Sequence, residues 1–344
     1  MSLTELLGVE LPIVQAPMAG SQDSALAIAV SNAGGLGSLP CAMLTPDAMR
    51  AAMTAIASRT GRPYNVNFFC HTPPSPDAAR ASAWRAVLAP YYAELGLTPT
   101  SDPPTGGRTP FDAAAARVVV DMQPAVVSFH FGLPDDGLLR EVKACGSRVV
   151  STATTIEEAR WLESRGVDAI IAQGVEAGGH RGSFLSDELT RQMGTLALLP
   201  QIVRAVSVPV IAAGGIADAA GVKAALALGA SAVQLGTAYL LSDEATTSTV
   251  HAAALSSDAA HHTAITNVFT GRPARSIVNR LVRELGPVRS DVPAFPSAYA
   301  AVAPLRAAAE AAGRGDFSPL WAGQNTTGCT RGPAGALTRR LAGA

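Results

Sequence analysis

The sequence predicts an α/β fold: a TIM-type (β/α)8 barrel that carries a smaller, mostly helical second domain as insertions. Three observations carry that expectation. Eight short apolar runs recur along the chain, and most are too short and too continuously apolar for half-exposed strands, which suits strands covered on both faces. Helical patterns lie between most of them, and strand–helix alternation of this kind builds parallel sheets. The length, 344 residues, accommodates a barrel of roughly 250 residues with insertions. An open, doubly wound sheet is the alternative, and eight repeats of the unit favour closure.

In chain order the predicted strands are IVQAP (13–17), GLGSLP (35–40), YNVNFF (64–69), AVVSFHF (125–131), RVVSTAT (148–154), AIIAQG (169–174), PVIAAGG (209–215) and AVQLGT (232–237). A helix is expected over 24–33. Another runs over 155–165, with Thr155 as its N-cap and Gly166 as its stop. A third covers 218–228: Asp218 caps it, Val222, Ala225 and Leu226 share one face, and Gly229 ends it. Two segments break the rhythm. Residues 71–120 are too long for one crossover and hold HTPPSP, a helical run with Trp84, Tyr91 and Tyr92, and the polar stretch TPTSDPPTGGRTP (98–110). Residues 241–315, rich in Ala, Ser and Thr, follow the eighth strand. The expected division is a barrel of residues 1–70, 115–240 and 316–344, with 71–114 and 241–315 packing together as a helical substrate or lid domain over its mouth.

Composition narrows the function. Hydrophobic residues make up 48% and charged residues 15%, the latter below the usual quarter or so, which implies a large core rather than disorder. The net charge of −1 gives no electrostatic case for nucleic acid or an acidic membrane surface. No apolar run reaches the roughly 18 residues that span a bilayer, and MSLTELLGVELP lacks the basic-then-apolar pattern of a secretion signal. Cys41, Cys70, Cys145 and Cys329 are scattered with no CxxC pair, so neither a zinc site nor a dithiol centre is suggested. Free thiols in a reducing compartment fit that pattern, and a cytoplasmic protein without a metal is the expectation.

In a barrel of this type the chemistry sits at the C-terminal ends of the strands. Those ends carry Gln15 to Met18, Asn67, His130, Gln173, Gly178, Gly179, His180, Gly214, Gly215, Gln234, Gly236 and Thr237, a polar set with little formal charge. AAGGIAD (212–218) and QLGTAYL (234–240) follow the last two strands, where barrels commonly hold phosphate. Glycine leaves the backbone N–H groups of 214, 215 and 236 unhindered, Thr237 adds a hydroxyl, and helix N-termini there favour an anion. The alternative is a pair of tight βα turns that need glycine for geometry alone. Uncharged Asn67 and Gln173 suit a planar heterocycle, which together with a phosphate site suggests flavin mononucleotide (FMN) over a sugar phosphate. No GxGxxG follows the first strand, so a nicotinamide dinucleotide fold is not indicated. His180, behind two glycines in AQGVEAGGHRG (172–182), reads as an acid or base that takes a proton from an activated carbon, or else as a residue that positions its loop. His130 reads as a substrate contact or a filler of the mouth, and Arg181 as an anion attractor or a loop salt bridge. Met18 and Phe131 are expected to line the pocket, and Trp321 and Gln324 to close over the ring system.

The set QAPMAG (15–20), NVNFF (65–69), SFHFG (128–132), AQGVEAGGHRG (172–182), PVIAAGGIAD (209–218), QLGTAYL (234–240) and LWAGQ (320–324) closely resembles the class I nitronate monooxygenases, also called 2-nitropropane dioxygenase-like proteins, in order and over nearly the whole chain. The resemblance implies an FMN-containing barrel that oxidises alkyl nitronates, such as propionate 3-nitronate, with O2 to carbonyl compounds and nitrite, without an external reductant. It implies that the Met18 backbone, Asn67, Gln173, Gly178, Gly179, Gly214, Gly215, Gln234, Gly236 and Thr237 hold FMN. It also implies that His180 binds substrate and, for neutral nitroalkanes, abstracts the α-proton. Ser21 stands where the family often has glycine, and PAFPSAY (293–299) matches the family's aromatic and basic pattern only loosely, with Tyr299 as a substrate contact that survives from it. Two alternatives share the resemblance: an FMN-dependent enoyl-acyl carrier protein reductase that uses NAD(P)H, and a flavin-binding protein without turnover. A flavin-free barrel that binds a sugar phosphate is a third.

Overall fold

Eight parallel strands make the central sheet: β1 (Ile13–Gln15), β2 (Gly37–Pro40), β3 (Tyr64–Phe69), β4 (Val126–His130), β5 (Arg148–Ala153), β6 (Ala169–Gln173), β8 (Val210–Ala213) and β9 (Ala232–Leu235). Between β6 and β8 lies the two-residue strand β7 (Gly179–His180), which belongs elsewhere. This is a computed structural model that describes residues 3–99 and 108–343; the middle of the polar stretch expected at 98–110 lies outside them. The strand order is β1-β9-β8-β6-β5-β4-β3-β2, and a parallel bridge between Val14 and Leu36 joins the two ends into a barrel. All eight expected strands are present, seven of them trimmed by one to three residues at their ends.

The continuous apolar runs are explained by burial on both faces. In β6, Ala169 and Ile171 point into the barrel, where they meet Val14, Leu36, Val126, Val150, Ile211 and Ala232. Ile170 and Ala172 point outward against the helices. Leu3 and Leu7 of the helix Leu3–Leu7 join the inner cluster. Thr155 accepts from the Glu158 N–H and Asp218 from the Gly221 N–H, so both expected N-caps hold. One tight approach is built into the barrel wall: a Cβ on Gly37 would stand 2.0 Å from the Ala27 carbonyl oxygen in the helix Ser24–Asn32. Both sides of that contact are backbone, so nothing flexible can yield. Gly37→Ala is expected to destabilise the fold by about 2–4 kcal/mol in urea unfolding; an unchanged midpoint would show that the helix can slide.

A second apolar cluster joins Trp84, Leu88, Tyr91 and Tyr92 of the helix Ala78–Glu94 to Val268, Phe269, Leu281, Val302, Leu305 and Phe317. The regular structure of the segment 241–315 is more helix than strand, with the helices Thr249–Leu255, Arg280–Leu285 and Tyr299–Ala311. It also holds β10 (Thr263–Thr266) and β11 (Ala274–Ile277), and β7 completes an antiparallel sheet in the order β10-β11-β7. Ala274 pairs with His180 and Arg275 with Gly179. Nothing in the local sequence announces that pairing, because its partners lie far apart along the chain. The junctions differ a little from the expected boundaries: Phe111 already packs on Phe68 and Phe129 in the barrel core, and Phe317 still belongs to the second cluster.

Candidate active site

Strand parity decides which side chains reach the barrel mouth. Residues alternate between inside and outside, so the inward positions that continue past Val126, Val150, Ile171, Ile211 and Ala232 are Ser128 and His130, Thr152, Gln173, Ala213 and Gln234. All of these line one cavity at the C-terminal end of the barrel, with an empty volume of about 1340 Å³ including its open mouth. Met18, Asn67, Gly178, Gly179, His180, Gly214, Gly215, Gly236 and Thr237 line it as well. Tyr299, expected to contact substrate, stays off the wall; its hydroxyl accepts from Arg306 at 3.2 Å.

The turns after β8 and β9 are the most open part of the wall. Gly214 and Gly215 have φ of +113° and +73°, a backbone that side chains rarely adopt. Among the described residues, the backbone N–H groups of Gly215, Gly236 and Thr237 donate to no protein acceptor, while that of Gly214 lies at the end of the β8–β9 ladder, where Ala213 pairs with Gln234. A Cβ on Gly236 would stand 3.4 Å from the Ala16 Cβ and 3.7 Å from the Met18 sulfur, so glycine keeps the floor clear. The Thr237 hydroxyl accepts from the Gly323 N–H at 2.9 Å, which leaves its O–H to donate.

Several of the expected cofactor contacts also brace the loops. The Met18 N–H donates to Gln22 Oε1 at 2.8 Å, and Gln22 is bonded to buried Gln15 at 2.7 Å. Gln173 donates to the His180 carbonyl at 3.1 Å and accepts from the Gly182 N–H at 2.9 Å, so each end of its amide holds the loop that carries His180. A Cβ on Gly178 would stand 2.6 Å from the backbone of Ala322 and Gly323, so this glycine admits the LWAGQ segment. Trp321 reaches the cavity, whereas Gln324 is exposed and only its N–H is used, donating to the Glu176 carbonyl at 3.0 Å. Asn67 donates to the Ser128 hydroxyl at 2.9 Å, with its amide oxygen left for the cavity. Phe131 stands behind His180 and under Arg272 rather than on the wall.

Arg181 does not line the cavity, and it forms no salt bridge among the described residues. It is fully buried and donates to the carbonyls of Gly174 and Gln173, both at 2.7 Å, and to Gln192 Oε1 at 2.9 Å. It is the clamp that closes the loop after β6.

His180 sits in an aromatic corner, with ring centroids 5.2 Å from Phe295 and 5.3 Å from Trp321. Its Nε2 is 2.9 Å from Thr270 Oγ1. The Thr270 hydroxyl donates onward to the Arg272 carbonyl at 3.5 Å, so it accepts the Nε2 proton and leaves Nδ1 as the basic atom. Burial, then the charges of Arg108, His130 and Arg272, hold the imidazole well below its ordinary pKa, so it is neutral at pH 7. His130 has no free ring nitrogen. Nε2 donates to the His180 carbonyl at 3.2 Å, so Nδ1 accepts from Thr152 at 3.1 Å, and burial pushes its pKa down to about 3. It buttresses His180 from beneath.

Residues 1–341 match the family model described as nitronate monooxygenase. The chain belongs to the nitronate monooxygenase family. A Paraburkholderia phytofirmans protein named nitronate monooxygenase is 44% identical over 344 residues, covering 99% of this chain and 93% of its own. One from Pseudomonas aeruginosa with the same name is 42% identical, covering 98% and 97%. The crystal structure of nitroalkane oxidase from Streptomyces ansochromogenes superposes with a TM-score of 0.90 at 42% identity over 100% of this chain and 97% of that one. FabK from Thermotoga maritima superposes less closely, with a TM-score of 0.71 at 26% identity over 99% and 94%. This nitronate monooxygenase family member is therefore an oxidoreductase acting on a small molecule, built on a TIM barrel. No helix among the described residues is long and apolar enough to cross a membrane.

The sequence reading passed over Arg108, Ser128, Thr152, Phe69 and Asn325, all of which line the cavity. Ser128 and Thr152 could have been found by strand parity alone. Arg108 could not, because it follows a polar stretch with no periodicity.

Proposed function

We propose that this protein oxidises alkyl nitronates, propionate 3-nitronate among them, with bound FMN and O2, giving carbonyl compounds and nitrite without an external reductant. The observation that carries the reading is one cavity holding both an anion cradle and an uncharged imidazole, in a member of the nitronate monooxygenase family. The residues fit FMN. Two glycine turns offer three N–H groups without acceptors among the described residues, no acidic side chain among them lines the cavity to repel a phosphate, and Asn67 and Gln234 present amides to a ring. Bound FMN would supply the redox chemistry, taking electrons from an electron-rich nitronate and passing them to O2.

The chain's own part is to bind, orient and move one proton. The turns of Gly214–Gly215 and Gly236–Thr237 would hold the phosphate. Phe69 and Trp321 keep water from the reacting end. His180 needs no charge to receive an anionic nitronate, and its neutral Nδ1 can take the α-proton of a neutral nitroalkane. His180→Asn is expected to lower kcat/KM for neutral nitroalkanes about 10²–10⁴-fold, to lower that for preformed nitronates far less, and to leave flavin content unchanged. Equal loss of flavin and turnover would make the residue structural.

The reading is tested by anaerobic absorbance of the purified protein before and after propionate 3-nitronate. Reduction of the flavin by the nitronate alone, followed by O2 uptake and nitrite release on aeration, supports it. A flavin that stays oxidised until NAD(P)H is added would overturn it in favour of an enoyl reductase.

A further inference from the structure

The cavity wall is uncharged except at one point. Among its described lining residues, Arg108 is the single one with a full charge, the histidines there being held neutral. Most arginines of this chain that carry an ion pair meet a carboxylate at the surface, as Arg50, Arg62 and Arg165 do. Arg108 meets none among the described residues. Its guanidinium carbon lies 5.3 Å from the Tyr299 ring centroid and 5.9 Å from that of Phe295. Aromatic faces hold a cation in place without neutralising it. Phe295 is also the ring packed on His180, which places the guanidinium at the His180 side of the cavity, where substrate would lie in the proposed reaction. A half-buried cation beside apolar walls has lost part of its hydration and gains most from an anion that can accept two parallel N–H bonds.

We propose that Arg108 is the specificity-determining residue of this site: its guanidinium takes a carboxylate carried by the nitronate away from the reacting carbon, so the preferred substrates are dianions. The assignment rests on the nitronate reading above and adds to it which nitronates are favoured. Tyr299, off the cavity wall, acts here by supporting Arg108 from behind. The nitronate group itself is left to His180 and the flavin-facing wall, and a simple alkyl nitronate brings no second anion to the guanidinium.

The test compares the holoenzyme and Arg108→Met, which keeps an unbranched side chain, on propionate 3-nitronate and on propyl-1-nitronate, an uncharged-tail analogue. The variant is expected to raise KM for propionate 3-nitronate about 10- to 100-fold with kcat little changed, the loss of one charge-assisted pair. For propyl-1-nitronate, KM changes less than about threefold on the same reasoning. Titration calorimetry reads the same site without turnover: succinate binds the unsubstituted holoenzyme better than butyrate does, and the variant loses that difference. Equal losses on both nitronates would assign Arg108 to the nitronate group and overturn the proposal while the nitronate reading stands. Loss of flavin in the variant would likewise overturn it. Oxidation of neither nitronate by the unsubstituted protein overturns the nitronate reading and this proposal with it.

Discussion

Gly215→Val is expected to yield a folded protein without bound flavin. Two effects add at this position. Gly215 has φ +73°, and a β-branched residue in left-handed backbone costs on the order of 1–2 kcal/mol from that conformation alone. Its Cβ would also press on the Glu176 side chain at 3.3 Å, and Glu176 is not free to move, because its carboxylate accepts from the Thr195 N–H at 2.9 Å. The turn is then pushed out of the shape that leaves the Gly215 N–H without a protein acceptor among the described residues. A loss of affinity for FMN of at least about 100-fold corresponds to about 2.7 kcal/mol, within reach of these terms together. Flavin absorbance of the purified variant, and fluorescence titration of the apoprotein with FMN, check the result. A thermal melt separates it from unfolding, since the barrel core does not pass through Gly215. Undiminished affinity would move the phosphate away from this turn.

Acid is expected to destabilise the protein in a window that opens near pH 6.5, above the range of ordinary carboxylates. Four histidines have lowered pKa values. His71 is held at about 4 by burial and by Arg272 and Arg108; His251 is held at about 4, chiefly by burial; His130 is held at about 3; and His180 lies well below its ordinary value. In each case the unfolded chain binds the proton first. Stability is therefore fully present above the unfolded value near 6.5 and is lost as pH falls toward the folded values. At pH 5 the loss is on the order of 2 kcal/mol from each of His71, His130 and His251. Against a typical total of about 5–15 kcal/mol, that is a large share of the stability. Urea unfolding at pH 7.5, 6 and 5 measures it, and His251→Gln should flatten part of the profile because that histidine sits apart from the cavity group. A flat profile down to pH 5 would mean that these rings are hydrated.

The barrel was legible because its eight strands advertise themselves. Runs such as AIIAQ and VIAA are short and apolar on both parities, and only strands sandwiched between a barrel interior and a ring of helices need that. The glycine turns were legible for a related reason: two positive-φ residues in a row at a strand end are affordable to few residues other than glycine. What the sequence could not separate was contact from support. Gln173 and Gly178 sit in the right motif and on the cavity wall, yet the hydrogen bonds of one and the close approach of the other serve the neighbouring loop. Arg181 is the sharper case. Next to His180 and charged, it looked like an attractor for an anion, and its three hydrogen bonds instead hold the chain's own groups together. Local sequence cannot reveal which way a side chain turns when its partners are carbonyls, because every residue supplies one. The pairing of β7 with β11 was invisible for another reason. It joins residues nearly a hundred positions apart through two residues of strand, too few for any periodicity to register.

That short strand ties the reactive histidine to two structures at once. His180 leaves the barrel through Gln173 yet takes its place in a sheet with β10 and β11, and its ring rests on Phe295 and Thr270 from the later part of the chain. The glycine turns of the cradle belong to the barrel strands alone. A nicked or half-assembled chain could therefore be yellow and inert: the pigment would count finished barrels, and only turnover would count finished enzymes.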